Sequence, residues 1–199
     1  LFYLCGMLPW FYFSSVVTEN STTFLKNKEL FGKVYFPRLA IPISSSIINL
    51  IKLIIQFFIF LFFYFYYLYN GYDFSISVYI VFLPLLILQL CMLSVGLGIL
   101  ISSLTTKYRD LTFALGFFIQ LFLYATPIVY PLSLVSEKYK FFLILNPMTS
   151  VVESFKLMFF GISAITFSNI ILSIIITTLV FIFGFITFNK IERTFMDTI

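Results

Sequence analysis

Histidine is absent from this 199-residue chain. Its absence removes the commonest general base and the commonest metal ligand. Cysteine is scarce: Cys5 and Cys91 stand apart in apolar stretches. They form neither a disulfide framework nor a metal site, and read as small buried hydrophobes. Charge is low at 10% of residues, where soluble proteins carry roughly a quarter. The net charge of +4 is scattered, so a nucleic-acid footprint is lacking. A phosphate loop is missing too: Gly32-Lys33 is followed by Val34, without the earlier glycine or the following Ser or Thr. No paired carboxylates and no nucleophile–base pair stand in the sequence. We therefore expect a chain that is not an enzyme and holds no cofactor. Any ATP it depends on must be bound by another chain.

What is present is apolar. Hydrophobic residues make up 61% and aromatic residues 22%, with 29 Phe. The mean hydropathy is +1.09. A soluble core of this length cannot hide so much apolar surface, so the solvent for most of the chain is lipid. Long apolar runs such as Leu53 to Leu68 argue for helices against the short alternating strands of a membrane barrel. A span needs roughly 20 apolar residues. Five stretches qualify or nearly do: 1–18, 40–69, 76–104, 111–135 and 167–189. Leu1 lies inside an apolar stretch, with no initiator Met and no signal-peptide pattern. We expect the sequence to be truncated at its N-terminus.

A sixth apolar stretch, 141–161, is broken by Asn146-Pro147 and carries Glu153 and Lys156. Proline disfavours helix in the residue before it, and two charges in a spanning helix are costly. Two short helices that enter and leave on one side fit better, as a re-entrant hairpin over 136–162. Orientation follows the basic residues. Lys26, Lys28, Lys33, Arg38, Lys107, Arg109, Lys190 and Arg193 then share one side, and Lys138, Lys140 and Lys156 the other. Eight against three places the first group, the 19–38 segment and the C-terminus in the cytoplasm. The predicted fold is an all-α polytopic bundle of about five spans plus the hairpin.

Several groups of residues invite a role. Segment 19–38 mixes basic and apolar residues, and reads either as a helix docking on a soluble partner or as one lying on anionic lipid. Ser45, Asn49, Lys52 and Gln56 share one helical face. That face either lines a path or pairs with a partner helix, or else Lys52 snorkels and the others bond to neighbouring helices. Ser94, Gly98 and Ser102 form a small-residue seam for helix packing. Phe113, Phe117, Gln120, Tyr124 and Pro127 share a face too, either stacking on sugar rings or facing lipid. Pro127 and Pro131 should unwind the end of that helix. Asn146, Pro147, Glu153 and Lys156 mark the hairpin, either as a gate at the outer mouth or as a surface hairpin held by a Glu153–Lys156 pair.

Taken in order, five motifs form a series. They are Lys33-Val34-Tyr35-Phe36-Pro37-Arg38, Tyr108-Arg109-Asp110, Thr126-Pro127-Ile128-Val129-Tyr130-Pro131, Leu145-Asn146-Pro147-Met148-Thr149 and Val152-Glu153-Ser154-Phe155-Lys156. The series resembles the permease subunits of type-2 ABC exporters for O-antigen, capsule and teichoic acid polymers, and covers nearly the whole chain. The resemblance implies one transmembrane domain over 1–199, with five of six spans present and the first span and its amphipathic helix missing. It implies a homodimer in the cytoplasmic membrane of a bacterium. Two ATPase chains would use ATP and Mg, and a lipid-linked glycan would be the cargo. It assigns Asn27, Lys28, Glu29, Leu30, Phe31 and Lys33 to ATPase coupling, and Phe117, Gln120 and Tyr124 to the channel wall. Two departures stand out: Lys156 where Arg is usual, and Lys52 where an acidic or neutral residue is expected. A drug or small-lipid exporter on the same scaffold is the alternative. A non-ABC scaffold or an ion-driven carrier is a third reading, and an ion-driven carrier usually shows buried acids within its spans.

Overall fold

A computed structural model describes residues 1–27, 37–72, 76–162 and 165–196, with side chains as far as Ile191. Every regular element among the described residues is helical. The order is α1 (Phe2–Ser21), α2 (Thr23–Lys26), α3 (Ala40–Tyr69), a 3₁₀ turn (Val78–Phe82) running into α4 (Leu83–Lys107), and α5 (Leu111–Tyr124). A second 3₁₀ turn (Leu132–Leu134), α6 (Glu137–Leu145), α7 (Pro147–Phe160) and α8 (Phe167–Met196) follow.

Three of these are long and apolar enough to cross a bilayer: Ala40–Tyr69, Val78–Lys107 and Phe167–Ile191. The 20 residues of α1 give about 30 Å at 1.5 Å per residue, the thickness of the hydrocarbon core. The fourth expected span is shorter than its apolar stretch. Its helix, α5, has 14 residues, about 21 Å, and ends at Tyr124. Pro127 has no N–H to continue the ladder, and the chain unwinds from Ala125 as its two prolines require.

The helices alternate in direction. One end of the bundle gathers Phe2, Tyr64 and Phe160, with Phe2 and Phe160 rings 5.7 Å apart. The other end gathers Phe24, Ile99 and Phe188, where the Phe24 and Phe188 rings stack at 4.6 Å. Between them α4 is the central post, packed on α1 and α8. Its small residues permit this. A Cβ at Gly98 would lie 2.6 Å from Asn20 Cβ of α1, and one at Gly96 would lie 2.7 Å from Phe181 Cα of α8. From the other side, a Cβ at Gly184 would run into the Gly96 carbonyl oxygen. The backbones themselves touch, which is how helices gain contact in lipid, where apolar side chains prefer neither helix nor tail. The outward faces of α3 and α8 carry exposed Phe58, Phe62, Leu179 and Phe183, the surface that lipid must cover.

Gly184→Ala should cost about 1–3 kcal/mol, because the clash is with backbone that cannot rotate away. Gly116→Ala, whose new Cβ meets nothing within 4 Å, should be neutral or better. Thermal unfolding of the two variants in the same detergent, followed by loss of the monodisperse peak, separates them.

Candidate functional site

Asn146 and Pro147 break the hairpin into two helices bent by 99°. The arms differ completely. No residue of α6 is buried, whereas twelve of the fourteen residues of α7 are. The reading of a surface hairpin is therefore corrected: α7 is a core helix, seated among α1, α4 and α8. The two charges that suggest a surface position are themselves fully enclosed.

A helix that starts and ends inside an apolar bundle leaves orphan N–H and C=O groups, and each must find a partner. At the N-terminus, Asn146 Oδ1 accepts from the Met148 N–H at 2.9 Å. Pro147 fills the first helical position, where no donor is needed. Its carbonyl accepts from Ser173 Oγ at 3.0 Å, and Ser173 accepts in turn from Gln89 Nε2 at 2.7 Å. At the C-terminus, Gly161 takes φ +68° and its N–H returns to the Leu157 carbonyl at 3.0 Å. The Phe159 carbonyl accepts from the Tyr64 hydroxyl, and the Met158 carbonyl from the Ser77 N–H, each at 2.9 Å.

The unwound strand after α5 is held from both ends of α7. The Asn146 side-chain amide donates to Thr126 Oγ1 at 3.0 Å and to the Ala125 carbonyl at 3.4 Å. Nearly three turns further along α7, Lys156 Nζ donates to the Pro127 carbonyl at 2.5 Å and to Glu153 Oε1 at 2.9 Å. The ammonium also stands 4.4 Å from the centre of the Phe2 ring. Lys156 has no exposed surface, so it exchanges all its water for a carboxylate, a carbonyl and a π face. Beside it, Gly6 of α1 lets the chain lie close to Ile128 and Val152. Thr126, Pro127, Asn146, Glu153, Lys156 and Phe2 form one clamp, built from α1, α7 and the strand between α5 and the hairpin.

The remaining predicted residues lie elsewhere. Ser45, Asn49 and Lys52 converge on Glu19 of α1, and so bond a neighbouring helix. Ser45 Oγ and Asn49 Nδ2 each donate to Glu19 Oε2 at 2.7 Å, and Lys52 Nζ stands 3.5 Å from Oε1. Gln56 is separate, on a narrow groove of about 160 Å³ lined by α1 and α3, among them Phe11 and Phe60. Phe117, Gln120 and Tyr124 lie with Phe113 on the exposed face of α5 and make none of the clamp's contacts described above. Pro127 departs from that face and is buried. Asn27 closes α2, its side-chain amide donating to the Thr23 carbonyl at 2.9 Å. Lys28, Glu29, Leu30, Phe31 and Lys33 lie outside the described residues. Sequence reasoning missed Glu19, although an otherwise unpaired Lys52 within an apolar stretch calls for an acid. It missed Phe2 for want of any signal.

Comparison with known proteins follows the same residues. A family profile described as "ABC-2 type transporter" matches residues 1–160, through the end of α7. Two O-antigen export system permease proteins RfbA of Klebsiella pneumoniae are each 27% identical to the chain, covering 99% of it and 74% of their own length. An O-antigen export system permease protein RfbA of Myxococcus xanthus is 27% identical over 80% of this chain and 60% of its own length.

Lys156→Met should lower folding stability by about 3–5 kcal/mol, because it strands Glu153 in an apolar site. Adding Glu153→Leu should recover part of that loss, although it removes a second native residue. Thermal unfolding of the single and double variants in detergent checks the order.

Proposed function

The chain belongs to the ABC-2 type transporter family and is a multi-pass membrane transport subunit, not an enzyme. From that premise we propose that it is the channel-forming permease of an ATP-driven polysaccharide exporter in the cytoplasmic membrane. The observation that carries this reading is the likeness to O-antigen export permeases along 99% of the chain. Two copies form the channel, and two separate ATPase chains bind the ATP and its magnesium. The cargo is a lipid-linked glycan. The end with Phe24 and Phe188, and with it the C-terminus, faces the cytoplasm, in accord with the basic residues. The clamp then lies at the outer end.

Coupling runs through the connection between α2 and α3. Asn27, Lys28, Glu29, Leu30, Phe31 and Lys33 meet the ATPase, whose closure on ATP displaces that connection. α3 on one side, and α1 reached through the short α2 on the other, carry the displacement. The exposed α5 face of Phe113, Phe117, Gln120 and Tyr124 supports a channel wall, since aromatic rings stack on sugar faces. Such contacts are individually weak, as a moving polymer needs sites it can leave. The α6–α7 hairpin, with Asn146, Pro147, Glu153 and Lys156, gates the outer mouth.

Reversing the charges of Glu29 and Lys33 should abolish surface polymer while the amount of permease in the membrane fraction stays unchanged. Full export in that variant contradicts the coupling assignment. Phe117→Ala with Tyr124→Ala should reduce surface polymer and leave ATPase association intact. Immunoblots of surface glycan, normalised to membrane-inserted permease, read both outcomes.

A further inference from the structure

Lys52 is the residue that the exporter pattern does not account for, and its surroundings give it a task. The ties between α1 and α3 gather on the first thirteen residues of α3. Tyr12 and Ser46 share a hydroxyl–hydroxyl hydrogen bond of 2.5 Å, and Asn20 Nδ2 donates to the Pro42 carbonyl at 3.4 Å. The densest tie is at Glu19. One carboxylate oxygen takes donors from Ser45 and Asn49, and the other faces Lys52. Lys52 Nζ in turn donates to Asn49 Oδ1 at 3.0 Å, and Asn49 Nδ2 reaches back to the Ser45 carbonyl at 2.9 Å. Asn49 at the centre of the network is buried, while the Lys52 and Glu19 side chains are about half exposed.

Its position matters as much as its bonding. Glu19 sits in the last turn of α1, and Ser45, Asn49 and Lys52 lie in the first half of α3. These are the two long helices before and after the connection over 28–36, with the four-residue α2 following α1. At the far end of α1, about 26 Å away by helical rise, Phe2 lies under the Lys156 ammonium and Gly6 lies against Ile128. One helix thus carries the Glu19 tie at one end and a wall of the outer clamp at the other.

We propose that Glu19 is a positioning residue for transport: its tie to Ser45, Asn49 and Lys52 makes α1 and α3 move as one body when the connection between them is displaced, and α1 delivers that movement to the Lys156 clamp. The inference rests on the exporter reading. Without the tie, a push on the connection spreads the two helices apart and is lost before it reaches the clamp. ATP is then hydrolysed without export.

The test uses the permease co-expressed with its ATPase. ATP hydrolysis is measured on the purified complex in lipid nanodiscs, and export as surface polymer per inserted permease. Glu19→Lys, which sets two ammonium groups face to face, should cut export about tenfold while ATP hydrolysis stays near the wild-type rate. Adding Lys52→Glu restores opposite charges and should restore most of the export. Glu19→Gln keeps an oxygen for Ser45 and Asn49, and should lose less export than Glu19→Lys. Unchanged export per ATP in Glu19→Lys overturns the proposal, as does a charge swap no better than the single variant. If Glu19→Lys fails to insert, the cycle of Glu19→Gln, Lys52→Met and their double replaces it. Non-additive losses of export per ATP support the tie, and additive losses overturn it. A wild-type permease that neither binds the ATPase nor exports glycan defeats the exporter reading instead, and the two failures are distinguishable.

Discussion

A lysine ammonium with no exposed surface, Lys156, is the constraint from which the rest of this structure follows. An ion in that position must be matched by an acid and by strong acceptors, or it does not stay charged. Glu153, one turn earlier on the same helix, supplies the acid. The acceptor is a backbone carbonyl, and backbone carbonyls are free only where a helix has been broken. Pro127 provides that break: the strand it unwinds offers its carbonyl to Lys156. Asn146 then holds the same strand from the other side while capping the buried helix. Two proline breaks, one after α5 and one before α7, thereby satisfy each other. Irregular backbone at membrane depth is tolerated where protein encloses it, and here Thr126, Pro127 and Ile128 at the centre of the break are buried.

The same logic separates what was readable in the sequence from what was not. Local chemistry was legible. The two prolines announced the unwinding after Tyr124, Asn146-Pro147 announced the bend, and the three-residue spacing of Glu153 and Lys156 announced their pairing. The Ser94–Gly98–Ser102 seam announced close packing, because a missing side chain has few other uses inside an apolar helix. The depth of α7 was not legible. Its charges match a surface helix as well as a buried one, and only the tertiary contacts of Phe2 and Pro127 decide between them. The partner of Lys52 was hidden for a similar reason. Glu19 lies thirty-three positions away and belongs by composition to the polar connection, so no helical period relates the two. The α5 face posed a different difficulty. With 29 Phe in the chain, the identity of any one carries little information, and an exposed face takes its meaning from what covers it.

Seen as a transport subunit, the bundle has two differently built ends. The end flanking the 28–36 connection is tied by hydrogen bonds between α1 and α3 and by the Phe24–Phe188 stack. The opposite end is built around the clamp, where α7 is fixed by Tyr64, Ser77 and Asn146 while α6 remains wholly outside the core. The central post, α4, touches both neighbours through glycines and leaves little room to slide. Because α1 packs on α3, α4 and α7 alike, it connects the two ends directly.

The central claim is that α7 is a buried helix held by the Lys156 clamp, and hydrogen–deuterium exchange tests it most directly. In the detergent-solubilised or nanodisc-embedded protein, the amides of 151–160 should exchange as slowly as those in the middle of α4, and far more slowly than those of 137–145. Substituting Lys156 with Met should raise exchange across 151–160 and the 125–131 strand together, leaving α8 unchanged. Rapid exchange across 151–160 in the unsubstituted protein, matching that of 137–145, would contradict the account.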